Sequence, residues 1–82
     1  MSEFPRQLPW RRFVRVLQNL GYRPLRPHRG SIRWFFNPAR RPNLISFHEP
    51  HPGESLHEGR LRESIRKLQL SPEDFVELLK NS

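Results

Sequence analysis

Apolar residues near the start of the chain recur at steps of three and four positions, which is the period of a helix that buries one face. The residues that set this period are Trp10, Phe13, Leu17 and Leu20. Pro9 suits the first position of a helix, where its missing N–H would have no partner. Gly21 suits the residue after the last turn, which often has a positive φ. The pattern predicts a helix over residues 9–20.

Three segments with β-forming patterns follow, and short turn-forming stretches separate them. Residues 22–28 form an edge strand at best, because Pro24 and Pro27 cannot donate a hydrogen bond to a neighbouring strand. Residues 31–37 are expected to alternate their side chains between the two faces of a sheet, and residues 43–48 are rich in β-forming side chains. The segments predict a three-stranded antiparallel meander.

The second predicted strand carries large side chains in both phases of this alternation. We expect Ile32, Trp34 and Phe36 to face the helices, because so small a chain needs most of its aromatic residues inside. Arg33 and Phe35 would then be exposed. An exposed aromatic ring beside a cation is typical of surfaces that stack the bases of single-stranded nucleic acid.

The second half of the chain predicts two more helices after an irregular stretch. Residues 49–53 are irregular, because prolines and a glycine interrupt both helix and strand. Apolar residues at positions 61, 65 and 68 form the buried stripe of a helix over residues 58–68. Its exposed face is expected to hold two ion pairs: Glu58–Arg62 and Glu63–Lys67. Ser71 then caps a short last helix that has Pro72 at its first position.

The predicted order of elements is α-β-β-β-α-α, an α+β fold with helices on one face of a three-stranded antiparallel sheet. The 82 residues leave room for one domain over residues 1–82. The chain has no cysteine, which excludes disulfides, thiolate metal sites and a cysteine nucleophile. Its first residues include no apolar run that could serve as a signal peptide, and no stretch approaches the ~20 apolar residues that cross a bilayer, so we expect neither a secretory leader nor a membrane span. We therefore expect a soluble, cytoplasmic protein without a membrane partner.

Positive charge is concentrated in the first half of the chain. Residues 1–41 hold ten arginines and one acid, a net charge of +9, whereas residues 42–82 carry a net charge of −2. Thirteen of the 15 basic residues are arginine, whose planar fork matches phosphates and base edges. Such segregation favours a nucleic-acid backbone or an acidic partner. Solubility or a GC-rich genome would explain the arginines alone, but solubility does not require them on one side.

Short segments at the joints between these elements carry a resemblance to a known family. They are residues 20–22 (LGY), 29–35 (RGSIRWF), 37–38 (NP), 45–48 (ISFH), 56–62 (LHEGRLR) and 70–75 (LSPEDF). In this order and spacing they resemble the HicA (YcfA-like) toxins, over residues 9–79. The resemblance implies a fold like that of a small double-stranded-RNA-binding domain (dsRBD-like). It also implies an mRNA-cleaving toxin without a cofactor, held inactive by a HicB-type antitoxin that docks over its RNA-binding surface.

The sequence departs from the family at one decisive position. The family's catalytic histidine directly follows the Gly-Ser or Gly-Gly of the second strand, and that position is Ile32 in this chain. Metal-free RNA cleavage needs a base to take the 2′-hydroxyl proton and an acid to protonate the leaving oxygen. Histidine performs both steps near neutral pH. Isoleucine performs neither, and arginine, which follows it as Arg33, is a poor proton acceptor.

Two other histidines are candidates for this chemistry. His48 closes the third predicted strand, adjacent to the second, and is expected to face the position of the missing histidine. His51 follows in a proline-bearing loop that looks like a signature of some relatives without the usual histidine. We predict that both supply the acid and base or contact RNA; alternatively, their imidazoles bond local backbone. A metal site would draw on His48, His51 and His57 with Glu49 or Glu54. We expect no metal, because this spacing fits no known short metal motif.

Seven arginines are candidate RNA contacts: Arg11, Arg12, Arg15, Arg29, Arg33, Arg40 and Arg41. Contacts with phosphates would position RNA without reading its sequence, although any single arginine is alternatively a solvated charge. Three functions stay open. The first, which we favour, is an RNA-cleaving toxin whose catalytic residue has moved or changed. The second is a non-catalytic RNA-binding protein with the same fold, and the third is an interaction module whose basic face binds an acidic protein such as an antitoxin.

Overall fold

The structure, a computed structural model, describes residues 3–27 and 30–82. In these ranges the helices are α1 (Trp10–Asn19), α2 (Glu58–Lys67) and α3 (Pro72–Lys80). The strands are β1 (Gln7–Pro9), β2 (Arg23–Pro24), β3 (Ile32–Phe36), β4 (Leu44–His48) and β5 (Ser55–His57). The predicted β2 segment ends at His28, which lies outside the described residues.

The central sheet is the predicted meander. Strand β3 lies between β2 and β4, and both pairings are antiparallel. The α+β class and the three-stranded antiparallel sheet are therefore confirmed. A second sheet was not predicted: β1 pairs antiparallel with β5, so that Leu8 lies opposite Leu56 and both side chains are buried. Within the described residues, no helix is both long and apolar enough to cross a membrane.

The core lies between the helices and one face of the central sheet. From the helices it receives Phe13, Val16, Leu17, Leu61, Ile65, Leu68 and Phe75, all buried. From the sheet it receives Phe35, Ile45 and Phe47. The rings of Phe13 and Phe47 meet edge to face, with their centroids 5.0 Å apart, which is a favourable geometry for two aromatic rings. The predicted apolar stripe of α2 is thus confirmed.

The prediction of which face of β3 meets the helices is wrong. Phe35 is buried, whereas Ile32 and Trp34 are 41% and 40% exposed. Phe35 lies opposite Ile45 in the register of the sheet, and its ring packs 6.2 Å from that of Phe47. Because β3 has large apolar side chains in both phases, alternation alone did not distinguish its two faces.

Asn37 joins the end of β3 to the end of α1. It is only 5% exposed. Its Nδ2 donates to the carbonyl of Leu20 at 2.9 Å, and its Oδ1 accepts from the backbone N–H of Ala39 at 3.0 Å. Gly21 follows the helix with φ +101°, as predicted, and a Cβ at this residue would lie 2.9 Å from Asn37 Nδ2. Asn37 therefore caps α1 from across the fold.

Helix α2 makes one of its two predicted ion pairs. Arg62 Nη2 lies 3.1 Å from Glu58 Oε2. Lys67 does not follow the prediction that it pairs with Glu63. Its Nζ donates to the carbonyl of Ser46 on β4 at 2.6 Å and lies 4.9 Å from the centre of the Phe47 ring. Lys67 thus fastens the end of α2 to the edge of the central sheet.

Candidate functional site

The start of β3 and the end of β4 bring a histidine beside Ile32. Ile32 and His48 are register partners in the antiparallel pair. Partners of this kind have Cα atoms about 4.5–5.5 Å apart and side chains on the same face. Both side chains are exposed. The strand register therefore places His48 next to Ile32, as expected.

Ser31 contacts the His48 imidazole from the neighbouring strand end. The Ser31 hydroxyl lies 2.8 Å from Nε2 of His48 and 3.3 Å from Nδ1, and the group is exposed to solvent. The shorter contact is the one with ordinary hydrogen-bond length. A hydroxyl can donate to a bare ring nitrogen or accept from a protonated one. Ser31 therefore helps to fix the orientation of the His48 ring.

Arg33 and Glu49 brace the same end of the sheet. Arg33 Nε lies 2.8 Å from Glu49 Oε1, and Arg33 Nη1 donates to the carbonyl of Gly30 at 2.7 Å. The backbone N–H of Glu49 donates to the carbonyl of Ser31 at 2.7 Å. These bonds fix the turn before β3 to the residue after β4. Arg33, expected to be exposed, is half-buried and already has partners for part of its guanidinium.

A cleft opens beside His48, between β4, β5 and α2. It consists of two adjoining parts that share His48, Leu56 and Arg60, and the larger part measures about 270 Å³. The polar side chains along it include His57, Glu63 and Lys67. We call this space the His48 cleft. Two cations, Arg60 and Lys67, stand within the walls of a space that also holds an imidazole, which suits a phosphate group.

The sequence did not predict His57, Arg60 or Lys67 as catalytic or RNA-binding residues, although His57 was weighed as a metal ligand. A signal was nevertheless present: positions 57, 60, 64 and 67 follow steps of three and four, which place side chains on one helix face. The sequence does not show that this face of α2 lines a cleft shared with β4. His51, which was predicted as a partner of His48, is exposed and lies in the loop, where its carbonyl accepts from the N–H of Glu54 at 2.9 Å.

The candidate arginines fall into different environments. Arg11, Arg12 and Arg15 are exposed on α1 and line one shallow groove together with Ser82. Arg41 is exposed in the loop before β4. Arg40 is half-buried, and its Nη2 donates at 3.0 Å to the carbonyl of Leu68, the residue that caps α2.

Arg40 thus has a structural partner, since a cation at a helix C-terminus satisfies free carbonyls. Arg29 lies outside the described residues. Among the residues that the structure describes, no three of the histidine, cysteine, aspartate and glutamate side chains are grouped closely enough to hold a metal ion.

Comparison with known proteins gives one match. Residues 10–70 match the family described as the HicA toxin of bacterial toxin–antitoxin systems. No curated protein and no solved structure matches the chain. The matched segment runs from the start of α1 to the turn before α3, so it includes the whole central sheet and the His48 cleft. Since this segment is well over half of the sequence, the chain belongs to the HicA toxin family, whose members are the toxin components of bacterial toxin–antitoxin systems and have an antitoxin as their partner.

Proposed function

We propose that this toxin is an RNA-binding mRNA interferase that cleaves RNA in the cytoplasm without a metal ion. In this proposal, His48 takes over the proton transfer that the family assigns to the position of Ile32. The observation that carries it is the cross-strand pairing of Ile32 with His48. An imidazole on the register partner enters the same space from the adjacent strand.

The chemistry requires two proton transfers. His48, as the base, takes the proton of the 2′-hydroxyl, and the 2′-oxygen forms a bond to the phosphorus. The bond from phosphorus to the 5′-oxygen breaks, and an acid protonates that leaving oxygen. The products are a 2′,3′-cyclic phosphate and a 5′-hydroxyl. Arg60 and Lys67, which line the same cleft, would stabilise the negative charge on the non-bridging phosphoryl oxygens as the bonds exchange.

The acid is the second role to fill. His51 is the predicted candidate, and His57 is the alternative that follows from the lining of the His48 cleft. His57 directly precedes α2 and His51 lies in the loop before β5. Separate substitution of each histidine distinguishes them, because loss of a general acid or base typically lowers a rate by about 10²–10⁴-fold.

RNA binding is proposed to use the exposed arginines outside the cleft. Arg11, Arg12 and Arg15 share one groove on α1, which suits a run of phosphates. Arg29 precedes β3 in the sequence and Arg41 precedes β4, and both would add further phosphate contacts. Arg33 and Arg40 would contribute mainly by holding the sheet end and the α2 terminus. A HicB-type antitoxin that covers this surface would keep the toxin inactive.

The decisive experiment measures cleavage of a mixed-sequence RNA by purified protein with EDTA present. We expect His48→Ala to lower the cleavage rate by about 100-fold or more, and Ile32→His in the same variant to restore part of it. His51→Ala and His57→Ala identify the acid. Undiminished cleavage by His48→Ala would contradict the assignment. Circular dichroism on each variant controls for folding.

RNA binding without cleavage is the second candidate function. The observation that favours it is Ile32 itself, because a branched alkyl group at the family's catalytic position transfers no proton. Wild-type protein that retains RNA on a filter, with affinity that falls as salt rises, but yields no products would establish this function in place of the first. If the protein does not bind RNA even at low salt, the basic surface is instead expected to bind a protein partner.

A further inference from the structure

The outer face of the central sheet is exposed and largely apolar. Trp34 and Leu44 are 40% and 49% exposed on β3 and β4, and Leu25, whose N–H donates to the carbonyl of Trp34, is 39% exposed beside them. By register, Arg23, Ser46 and His48 share this face. None of the strand residues on it is acidic within the described part of the chain.

A groove beside β4, at the edge of this face, has one aromatic ring and one cation in its lining. It measures about 310 Å³ and is lined by Trp34, Pro42, Leu44, Ile45, Ser46 and Lys67. The indole of Trp34 and the side chain of Leu44 offer flat and apolar contact. Lys67 donates one hydrogen bond to Ser46, which leaves ammonium donors for another group. We call this space the Trp34 groove.

We propose that the Trp34 groove binds a nucleobase of single-stranded RNA, stacked on the indole of Trp34, with an adjacent phosphate at Lys67. The inference rests on the proposed RNA-cleaving function and adds the strand state of the substrate. Stacking on an exposed aromatic ring needs a base whose face is free, and the bases of a duplex are already stacked on one another. A cation in the lining of a mostly apolar groove suits the backbone phosphate of the nucleotide whose base is bound.

The position of the groove relative to His48 supports the same occupant. Ser46, the register partner of Trp34, is two residues before His48 on β4. Side chains two residues apart on a strand are about 7 Å apart, which is comparable to one nucleotide step in an extended single strand. Lys67 lines both the Trp34 groove and the His48 cleft. A base held on Trp34 thus places a neighbouring phosphodiester beside His48.

Binding is best measured in the His48→Ala background, where cleavage does not consume the ligand. The probes are a fluorescein-labelled mixed-sequence oligoribonucleotide as a single strand and the same sequence as a duplex, followed by anisotropy. We expect Trp34→Ala to weaken single-strand binding by at least about fivefold, and Trp34→Phe to retain most of it. Leu25→Ala is the matched control, because its side chain has nearly the same exposure on the same face.

A second measurement leaves the groove unaltered. In the Trp10→Phe variant the remaining tryptophan is Trp34, and single-stranded RNA is expected to quench its fluorescence. In addition, Lys67→Gln should reduce the slope of log affinity against log salt by about 0.7, the value for one phosphate contact of a single strand, while Trp34→Ala leaves the slope unchanged.

The outcomes separate this inference from the proposed function. Equal binding of duplex and single strand, or unchanged affinity in Trp34→Ala, would overturn the groove assignment even if wild-type protein cleaves RNA. A protein ligand that loses affinity equally in Trp34→Ala and Leu25→Ala, without RNA binding on this face, would also overturn it. Conversely, Trp34-dependent binding by a protein that never cleaves would uphold the groove and remove only the catalytic role of His48.

Discussion

The two ends of strand β3 use polar side chains in opposite ways. At the end of the strand that leads into the loop before β4, Asn37 is buried and uses both its amide nitrogen and its oxygen to hold α1 and the loop. At the start of the strand, Ser31 and His48 are exposed and contact each other. The amide of Asn37 is used entirely within the fold, whereas the imidazole of His48 stays exposed beside the cleft, where we propose that it meets the substrate.

The comparison teaches that polarity alone does not identify a site. Asn37 is among the few polar residues of the described chain that are buried, and a buried amide must have partners because desolvation is otherwise costly. Within the described residues, the polar partner of the His48 side chain is Ser31, and His48 also lines the cleft. A candidate site is distinguished from a structural polar residue by hydrogen-bonding groups that are still available next to a cleft. Substitutions at the Asn37 end of β3 should therefore change stability, whereas substitutions at the His48 end should change cleavage.

The largest effect on stability is expected from Asn37→Ala. The change removes two hydrogen bonds and leaves the Leu20 carbonyl and the Ala39 N–H without their partner. At about 1–3 kcal/mol for each unsatisfied buried group, we expect the free energy of unfolding to fall by about 2–5 kcal/mol in urea denaturation. His48→Ala should change it by less than about 0.5 kcal/mol. A similar loss of unfolding free energy in both variants would contradict the difference between the two ends of β3.

A smaller effect is expected from alanine at Gly21. The positive φ strains any L side chain by about 1–2 kcal/mol, and the new Cβ would crowd Asn37 Nδ2. Gly53→Ala is the matched control, because Gly53 has φ +87° and a Cβ there meets nothing within 4 Å. We expect Gly21→Ala to lower the melting temperature clearly more than Gly53→Ala. Equal shifts would mean that the contact with Asn37 contributes nothing.

The smallest effect is expected from Ser31→Ala, at the exposed end. The change removes one hydrogen bond to the exposed His48 ring, and such a bond contributes about 1 kcal/mol. The cleavage rate should therefore fall by about 10-fold or less, while the free energy of unfolding in urea is unchanged. Ser31→Thr, which keeps the hydroxyl, should restore the rate. If Ser31→Ala lowers stability as much as it lowers cleavage, the residue belongs with Asn37 among the structural ones.

Much of the fold follows from local patterns that a sequence displays. The stripe of Leu61, Ile65 and Leu68 and the cap at Ser71, whose hydroxyl accepts from the N–H of Asp74 at 3.1 Å, are consequences of periodicity and capping chemistry. The pairing of β1 with β5 is not local. Each strand is three residues long, and segments so short are too brief to carry a periodic signal.

The candidate site was predictable only in part for the same reason. His48 could be placed beside Ile32 because a meander makes the third strand a neighbour of the second. The contributions of His57, Arg60 and Lys67 depend on how α2 lies against β4, which is decided by packing of the whole core. The exposure of Trp34 likewise depends on which of the two apolar faces of β3 packs against the helices.

The bond from Lys67 to Ser46 has a consequence for self-association. Strand β4 is an edge of the central sheet, and an unpaired edge is a template on which another chain can add a strand. Lys67 donates a hydrogen bond to the Ser46 carbonyl on this edge, so this carbonyl is already paired when another strand approaches. At the opposite edge, β2 is two residues long and includes Pro24, which has no N–H to donate. With both edges interrupted, the sheet resists the strand-by-strand growth that leads to fibrils, and contacts with other molecules are directed to its faces.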